Sequence, residues 1–288
     1  MSDMGKVCEE RIKDIITTCN HKEPKRVPVM GKMASWAVAY AGAKTRDLVN
    51  NRELQVEKWT SFLKEIYVDC MFGFGIGIPM KTIWALESKT FFISNDEVTI
   101  QHKQNTPMLV EEYPELIKDP ISFMINKICP RKFPALNKPY PENLESLRKA
   151  ALGLLDYAQD LTAITKRAKE QYGVAPIVRS KLHPPLDVMF DRLRGFTDGA
   201  VDMRRNPQWL VEACEALRPI YMKLAEDDIT GEYPFVVTAA HCPTFLGPRN
   251  FAKFFWPTYK KMLLRVKELG TQTFVFMEGS WEPYYDFL

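Results

Sequence analysis

This 288-residue sequence lacks long apolar runs, closely spaced cysteine pairs and an N-terminus that resembles a signal peptide. No run approaches the roughly 18 uncharged apolar residues that a membrane-spanning helix needs, so no membrane partner is expected. The first residues, Met1 to Lys6, contain no apolar core of the kind found in secretory signal peptides. The six cysteines are scattered without CxxC spacing, which favours reduced thiols over a disulfide framework. Together these absences predict a cytoplasmic location.

A strong excess of either charge is lacking as well. The 39 lysines and arginines stand against 36 aspartates and glutamates, a formal charge of +3 without a basic stripe. This balance argues against nucleic acid as a partner. Hydrophobic residues make up 46% of the chain, which is enough to bury a core and excludes a disordered chain. The length suits one large domain or two small ones, and α/β barrels reach this size as one domain.

The second half alternates strand-like and helix-like segments. Apolar runs at 173–178, 234–239 and 271–277 predict strands, while 206–225 and 249–269 predict helices. The first of these helices has a proline in its first turn, and a glycine follows the second, which are positions that these residues favour. Strands that alternate with helices predict an α/β fold with a parallel sheet and right-handed crossovers.

The first half is less regular. A long helix is predicted at 145–171, and two short β runs around a polar turn predict a β-hairpin insertion at 89–103. The stretch 107–141 contains seven prolines. Because proline removes amide donors, we expect this stretch to be largely irregular and to form a lid or an insertion.

Several motifs of the second half resemble those of one enzyme family. His241-Cys242-Pro243 follows a strand, the block Phe251–Lys261 reads FAKFFWPTYKK, and a later strand ends in Glu278-Gly279. This order resembles the uroporphyrinogen decarboxylase superfamily, and its corrinoid-linked methyltransferase branch more than the haem-pathway enzyme. The resemblance implies a (β/α)8 TIM-barrel-like fold in a single domain, 1–288, with its site at the carboxyl ends of the strands. Since the predicted strands stop at about the sixth, we expect the barrel to lack its last one or two βα units.

The predicted barrel rim carries the candidate catalytic residues. His241 and Glu278 follow two neighbouring predicted strands, and we expect both to lie in one shared site with His183 as a third catalytic residue. Imidazole, thiolate and carboxylate groups at strand ends are suitable zinc ligands, so His241, Cys242 and Glu278 form the candidate metal set. The alternative for Cys242 is a small buried core residue.

Substrate contacts are predicted from charge and from aromatic residues in rim loops. Arg179, Lys181 and His183 alternate along an extended segment, so their side chains are expected to converge on an anionic ligand. Asp187 is expected to cap the helix that follows. Further substrate-binding candidates are the aromatic residues Trp36, Phe74 and Trp281.

Three functions stay open at this point. The resemblance favours a corrinoid-linked methyltransferase-like enzyme, with a small-molecule substrate, a corrinoid as substrate or partner-bound cofactor, a corrinoid protein as candidate partner and a homodimer as candidate assembly. The first alternative is decarboxylation of an acidic tetrapyrrole in porphyrin biosynthesis. The second is a truncated, non-catalytic barrel that acts as a binding module.

Overall fold

Contacts along the chain group its elements into two units. The computed structural model describes residues 3–227 and 233–288. The first unit comprises Met1–Lys103 and Phe133–Ile177, and the second comprises Gln104–Lys132 and Val178–Leu288. The chain passes between the two units at three places, after Lys103, after Lys132 and after Ile177, and the single domain expected over 1–288 stays a prediction.

The first unit combines six helices with five short strands in the described residues. Its helices are α1 (Asp3–Cys19), α2 (Ala34–Tyr40), α3 (Thr45–Asn50), α4 (Arg52–Trp59), α5 (Met80–Ala85) and α9 (Glu142–Tyr172). Its strands are β1 (Met30–Gly31), β2 (Cys70–Met71), β3 (Phe91–Ile93), β4 (Ile100–His102) and β5 (Ala175–Pro176). Single 3-10 turns lie at Ser61–Lys64 and Pro134–Asn137.

A small parallel sheet and the long helix α9 organise this unit. Strands β1, β2 and β5 pair in parallel in that order. Helix α9 buries one stripe of residues at helical spacing, Ala150, Gly153, Ile164 and Ala168, because residues three and four apart share a face. The helix ends at Tyr172, and Gly173 follows it with a φ of 64°, the left-handed conformation that glycine adopts after helix ends.

The second unit contains the longer parallel sheet. Its helices are α6 (Tyr113–Lys118), α7 (Pro120–Phe123), α8 (Cys129–Lys132), α10 (Pro185–Val188), α11 (Gly195–Arg205), α12 (Pro207–Asp227), α13 (Pro243–Asn250) and α14 (Trp256–Glu268). Its strands are β6 (Val178–Lys181), β7 (Phe235–Ala240) and β8 (Gln272–Met277). Further helical turns are Val110–Glu112, Met124–Ile128, Met189–Arg194, Phe251–Phe255 and Glu282–Phe287.

Central strand β7 pairs in parallel with β6 and β8. Alternate residues of β7, including Val236 and Ala240, join a core with residues of α12 and α14 such as Leu217 and Tyr259. The predicted α/β class is thus confirmed by two parallel sheets with helical crossovers. A closed barrel is not seen among residues 3–227 and 233–288, whose strands form two three-stranded sheets and one pair, so the complete (β/α)8 barrel, and its lack of the last units, stay predictions.

The proline-rich stretch differs from its prediction as an irregular segment. Residues 107–141 fold mostly as short helices, and Pro114, Pro120 and Pro134 each occupy the first turn of a helical element. Proline is well suited to this position, because the first amides of a helix have no partner within the helix and the fixed φ of proline is helical. The prediction considered only the amide donors that proline removes. It did not consider that three of these prolines stand where helical elements begin.

The hairpin predicted at 89–103 contains an antiparallel pair of strands, β3 and β4, in which Phe92 lies opposite Gln101. Its turn is stabilised by Asp96, whose carboxylate accepts hydrogen bonds from the backbone amides of Val98 and Thr99, each at 2.8 Å. Bonds to the ionised carboxylate, chiefly those from the side chains of Ser94 and Thr99, lower the pKa of Asp96. Within the described residues, no helix is both long and apolar enough to span a membrane.

Candidate active site

The carboxyl ends of β7 and β8 bring His241 and Glu278 together. Ala240 and Met277 are the last residues of the two strands and lie opposite each other in register. His241 and Glu278 are the next residues, so both leave the sheet at the same level. The His241 Nδ1 atom lies 2.8 Å from Glu278 Oε2, and the two side chains are 37% and 42% exposed. The pair is therefore hydrogen-bonded and accessible to a ligand.

The environment of His241 favours its charged form. Burial alone would lower the pKa of this imidazole, but the hydrogen bond to Glu278 and the negative charges of Asp191 and Asp187 outweigh burial. The net result is a pKa above the ordinary histidine value. The Nδ1 atom faces Glu278, so the Nε2 atom is the ring nitrogen left for proton exchange with a substrate.

Asp187 holds the backbone that carries His241. Its side chain is buried, with 4% of the residue exposed. The Oδ2 atom accepts a hydrogen bond from the backbone amide of His241 at 3.1 Å, and Oδ1 accepts one from Cys242 at 2.9 Å. Burial raises the pKa of Asp187 to about 6, even though these hydrogen bonds act in the opposite direction.

The prediction that Asp187 caps its own helix is wrong. Helix α10 begins at Pro185 and has Asp187 inside it, so the carboxylate reaches across to the end of β7. The Pro184-Pro185 pair was the available signal, because a proline at the first helical position places the helix start before Asp187.

The predicted zinc set is not assembled. Adjacent residues at the end of a strand point to opposite faces, and Cys242 lies wholly buried in the helix-packed core rather than beside His241. Burial holds the pKa of its thiol well above the ordinary value, whereas zinc binds the thiolate. No group of three His, Cys, Asp or Glu side chains suited to a metal occurs in the described ranges. The residues present do not fit a zinc ion. Cys242 is instead a small buried core residue, which was the alternative given by the sequence.

His183 lies in the same unit, two residues beyond β6. Its Nδ1 atom is 3.4 Å from Arg192 Nη2, and its ring meets that of Tyr221 edge-on at 6.0 Å. Burial, with the positive charges of Arg192 and Lys181, lowers the pKa of His183 to about 4. This imidazole is consequently neutral near pH 7, and its charge is also sensitive to nearby His241.

Two cationic side chains, Lys181 and Arg192, lie close to His183, and a third, Lys132, lies close to Arg192. Lys181 is the last residue of β6, Arg192 contacts His183, and the pKa of Lys132 is lowered by burial and by the charge of Arg192. None of these three cations forms an ion pair with a carboxylate in the part of the chain that the structure describes. Sequence reasoning missed Arg192, which is nine residues beyond His183, and Lys132, which comes from a distant segment that the fold brings close to Arg192.

Arg179 does not simply alternate with Lys181 and His183. It lies within β6 rather than after a strand, and the register with β7 shifts between Val178 and Ser180. Such a bulge interrupts the two-residue period on which the predicted convergence depended. The Nε atom of Arg179 is buried and has no hydrogen-bond partner among the described residues.

The three aromatic candidates have different outcomes. Trp281 is only 3% exposed and packs edge-on against Phe251 at 6.0 Å, so it is a core residue rather than a rim contact. Its Nε1–H donates a hydrogen bond to the backbone carbonyl of Glu278 at 3.2 Å. Trp36, 44% exposed, and Phe74, whose ring lies 5.9 Å from that of Trp59, belong to the first unit. Their roles as substrate contacts stay predictions.

Comparison with known proteins shows similarity at the level of the fold. No protein-family model matches the chain. No curated protein matches it in sequence. Among solved structures it is similar to a methyltransferase from Methanosarcina mazei, with a TM-score of 0.54 and 12% identity over 95% of this chain and 71% of that chain. At 12% identity, this likeness shows a shared fold.

Proposed function

We propose that the chain is a methyltransferase-like enzyme that acts on a small anionic substrate beside His241 and Glu278. The observation that carries the proposal is the 2.8 Å contact between His241 Nδ1 and Glu278 Oε2 at the carboxyl ends of neighbouring parallel strands. Sites of α/β folds are formed at this end of the strands. The similar fold of a methyltransferase supports the reaction class, and the uroporphyrinogen decarboxylase-like motifs support a methylated corrinoid, presented by a partner protein, as the methyl donor.

The pair His241–Glu278 supplies a general base for the acceptor. When a thiol accepts a methyl group, its sulfur forms the new bond to carbon, the donor keeps the electron pair of the bond that breaks, and the thiol proton must leave. Only the neutral form of His241 can take that proton: it accepts the proton at Nε2, and Glu278 stabilises the resulting imidazolium through its contact with Nδ1. A positioned general base of this kind contributes about 10²- to 10⁴-fold to a rate.

The unpaired cations supply the substrate-binding part. Lys181, Arg192 and Lys132 have no carboxylate partner in the described chain, and placing like charges together is unfavourable unless an anion joins them. Arginine binds carboxylate or phosphate through two parallel hydrogen bonds. A substrate with one anionic group beside His183 would then present its reactive atom to His241.

The alternative reaction is decarboxylation of an acidic tetrapyrrole or similar polycarboxylate. The same three cations favour it, since they would hold carboxylates. Here the protonated imidazole of His241 would donate a proton to the carbon that loses carbon dioxide. The two reactions differ in their dependence on pH: base catalysis strengthens as pH rises through the pKa of His241, and acid catalysis weakens.

The test is methyl transfer from methylcobalamin to a panel of thiols, some of which carry an acidic group, followed by the absorption change of the corrinoid. We expect activity that falls about 100-fold or more in H241A and E278Q. The matched control is H102Q, which alters an exposed histidine of the first unit. Absence of methyl transfer with every thiol contradicts the proposal. Release of carbon dioxide from uroporphyrinogen would select the alternative, and absence of both would select a binding module.

A further inference from the structure

Helix α9 has a second apolar face that is exposed. Its first face, which includes Ala150 and Gly153, is buried within the first unit. The second face consists of four half-exposed leucines and two exposed alanines: Leu144, Leu147, Ala151, Leu154, Leu155 and Ala158. At 100° per residue these six side chains fall within an arc of about 100°, which is the width of a helix face that packs against a partner.

The size of this face, which we call the α9 leucine face, exceeds that of scattered exposed leucines. From Leu144 to Ala158 it extends about 21 Å along the helix axis. The leucines are 52% to 59% exposed, so together with the alanines they present on the order of 500 Å² of apolar surface, which is near the upper end for a monomeric protein. Isolated exposed leucines need no explanation, but a continuous patch of this extent marks an interaction surface.

The order of residues on the α9 leucine face is complementary to itself. If two copies pack with their helices antiparallel and the two-fold axis passes at Ala151, Leu144 meets Ala158 of the second copy, and Leu147 meets Leu155. Leu154 meets the aliphatic part of the bordering Arg148. The two Ala151 residues then meet at the axis, where small side chains permit close approach. Large residues therefore face small ones at the ends of the patch, as interdigitating helix packing requires.

The charged residues beside this face do not favour an anionic membrane as its partner. Arg148 is the basic residue on its border, about 20° past Leu155 around the helix, and its Nε pairs with Glu145 Oε2 at 2.7 Å. Membrane-binding helices instead present an excess of unpaired lysine and arginine on the polar face. A neutralised polar border around an apolar centre is the usual composition of a protein–protein interface.

We propose that a second copy of this chain covers the α9 leucine face in a two-fold symmetric, antiparallel α9–α9 contact. An interface of this size lies at the low end for specific complexes, so the dimer is reversible and depends on protein concentration. The contact is independent of the proposed reaction, since it involves none of the residues of the candidate active site.

The experiment is sedimentation of the full chain from low to high micromolar concentration, with variants designed on the antiparallel register. L147E is expected to weaken dimerisation by about tenfold or more, because it buries a charge at the centre of the interface. The double variant L147E/L155K is expected to restore the dimer, because each new glutamate then faces a new lysine of the other copy. The double variant L147E/L155E, which places like charges opposite each other, is not expected to restore the dimer. The matched control is L224E on α12, where a leucine is also 55% exposed.

Oxidative cross-linking tests the register directly. The new cysteine of A151C lies opposite its own copy at the two-fold axis, so this variant is expected to form a disulfide-linked dimer. The new cysteine of A158C lies opposite Leu144, so no such dimer is expected from it. The unsubstituted chain is the blank. Circular dichroism verifies that each variant is folded. A chain that is monomeric at every concentration, a dimer insensitive to L147E, or a dimer that L147E/L155K does not restore would overturn the proposal. Monomeric chain that binds phosphatidylglycerol vesicles, and loses this binding in L147E, would do so as well.

Discussion

Replacement of Asp187 by asparagine provides a quantitative test of the candidate site. The buried carboxylate accepts backbone hydrogen bonds from His241 and Cys242, yet burial raises its pKa to about 6, against 3.8 for the free side chain. Between these two values the folded chain binds more protons than the unfolded chain. The contribution of Asp187 to the free energy of unfolding therefore falls as pH rises from about 4 to about 6, and is constant above that range.

The magnitude follows from the same two pKa values. Since each pKa unit corresponds to 1.36 kcal/mol, ionisation of Asp187 costs the folded chain up to about 3 kcal/mol at pH 7. D187N removes this ionisation. We expect the free energy of unfolding of D187N, relative to the natural sequence, to increase by up to about 3 kcal/mol between pH 4 and pH 7. Activity is expected to fall at the same time, because asparagine accepts through only one oxygen and leaves one of the two amides without its acceptor.

The assay is urea unfolding followed by tryptophan fluorescence at several pH values from 4 to 7. D286N is the matched control, since Asp286 is an exposed residue of the same unit; its difference from the natural sequence is expected to change little with pH. If the difference between D187N and the natural sequence stays constant or falls as pH rises, the two backbone amides stabilise the carboxylate more than burial disfavours it. That result would refute the reasoning.

Three further predictions concern the same unit. In E278Q the pKa of His241 should fall, since the negative charge of Glu278 that raises it is removed; histidine proton NMR measures this, and an unchanged or higher value would contradict the 2.8 Å contact. In R192A the pKa of His183 should rise from about 4 because a neighbouring positive charge is lost, although burial keeps it below the ordinary value; an unchanged titration by NMR would show that the two side chains do not interact. W281A should lower the free energy of unfolding by about 3 to 5 kcal/mol, as expected for removal of a buried indole, and a loss below about 1 kcal/mol in urea would argue that Trp281 is not a core residue.

The strands that carry the site could be predicted from sequence because their own residues determine them. β7 and β8 are continuous apolar segments, found at Phe235–Ala240 and Gln272–Met277 within a residue of the predicted ranges. Parallel pairing then places the following residues together, so the proximity of His241 and Glu278 could be inferred from local patterns alone.

The surroundings of the pair could not be predicted in this way. Asp187 acts through backbone amides that lie 54 and 55 residues away in the chain, and nothing in the local sequence identifies the partner of a carboxylate. Lys132 and Arg192 likewise approach each other only through folding. The inclusion of Cys242 in the candidate metal set failed for a different reason. Neighbouring residues at a strand end point to opposite faces, so Cys242 and His241 could not be expected to share a ligand.

The register of β7 with β8 also bears on how this site can change. His241 and Glu278 each follow directly on a paired strand residue. The distance between the two residues is therefore determined by the spacing of adjacent strands and does not depend on the length of the segments that follow them. Insertions or substitutions after Gly279 or Cys242 can change which substrates reach the site while leaving His241 and Glu278 in place. A single-residue deletion inside either strand would have the opposite outcome, turning one partner to the other side of the sheet. Evolution of new substrates on this scaffold is accordingly expected in the loops, with the two strand lengths held constant.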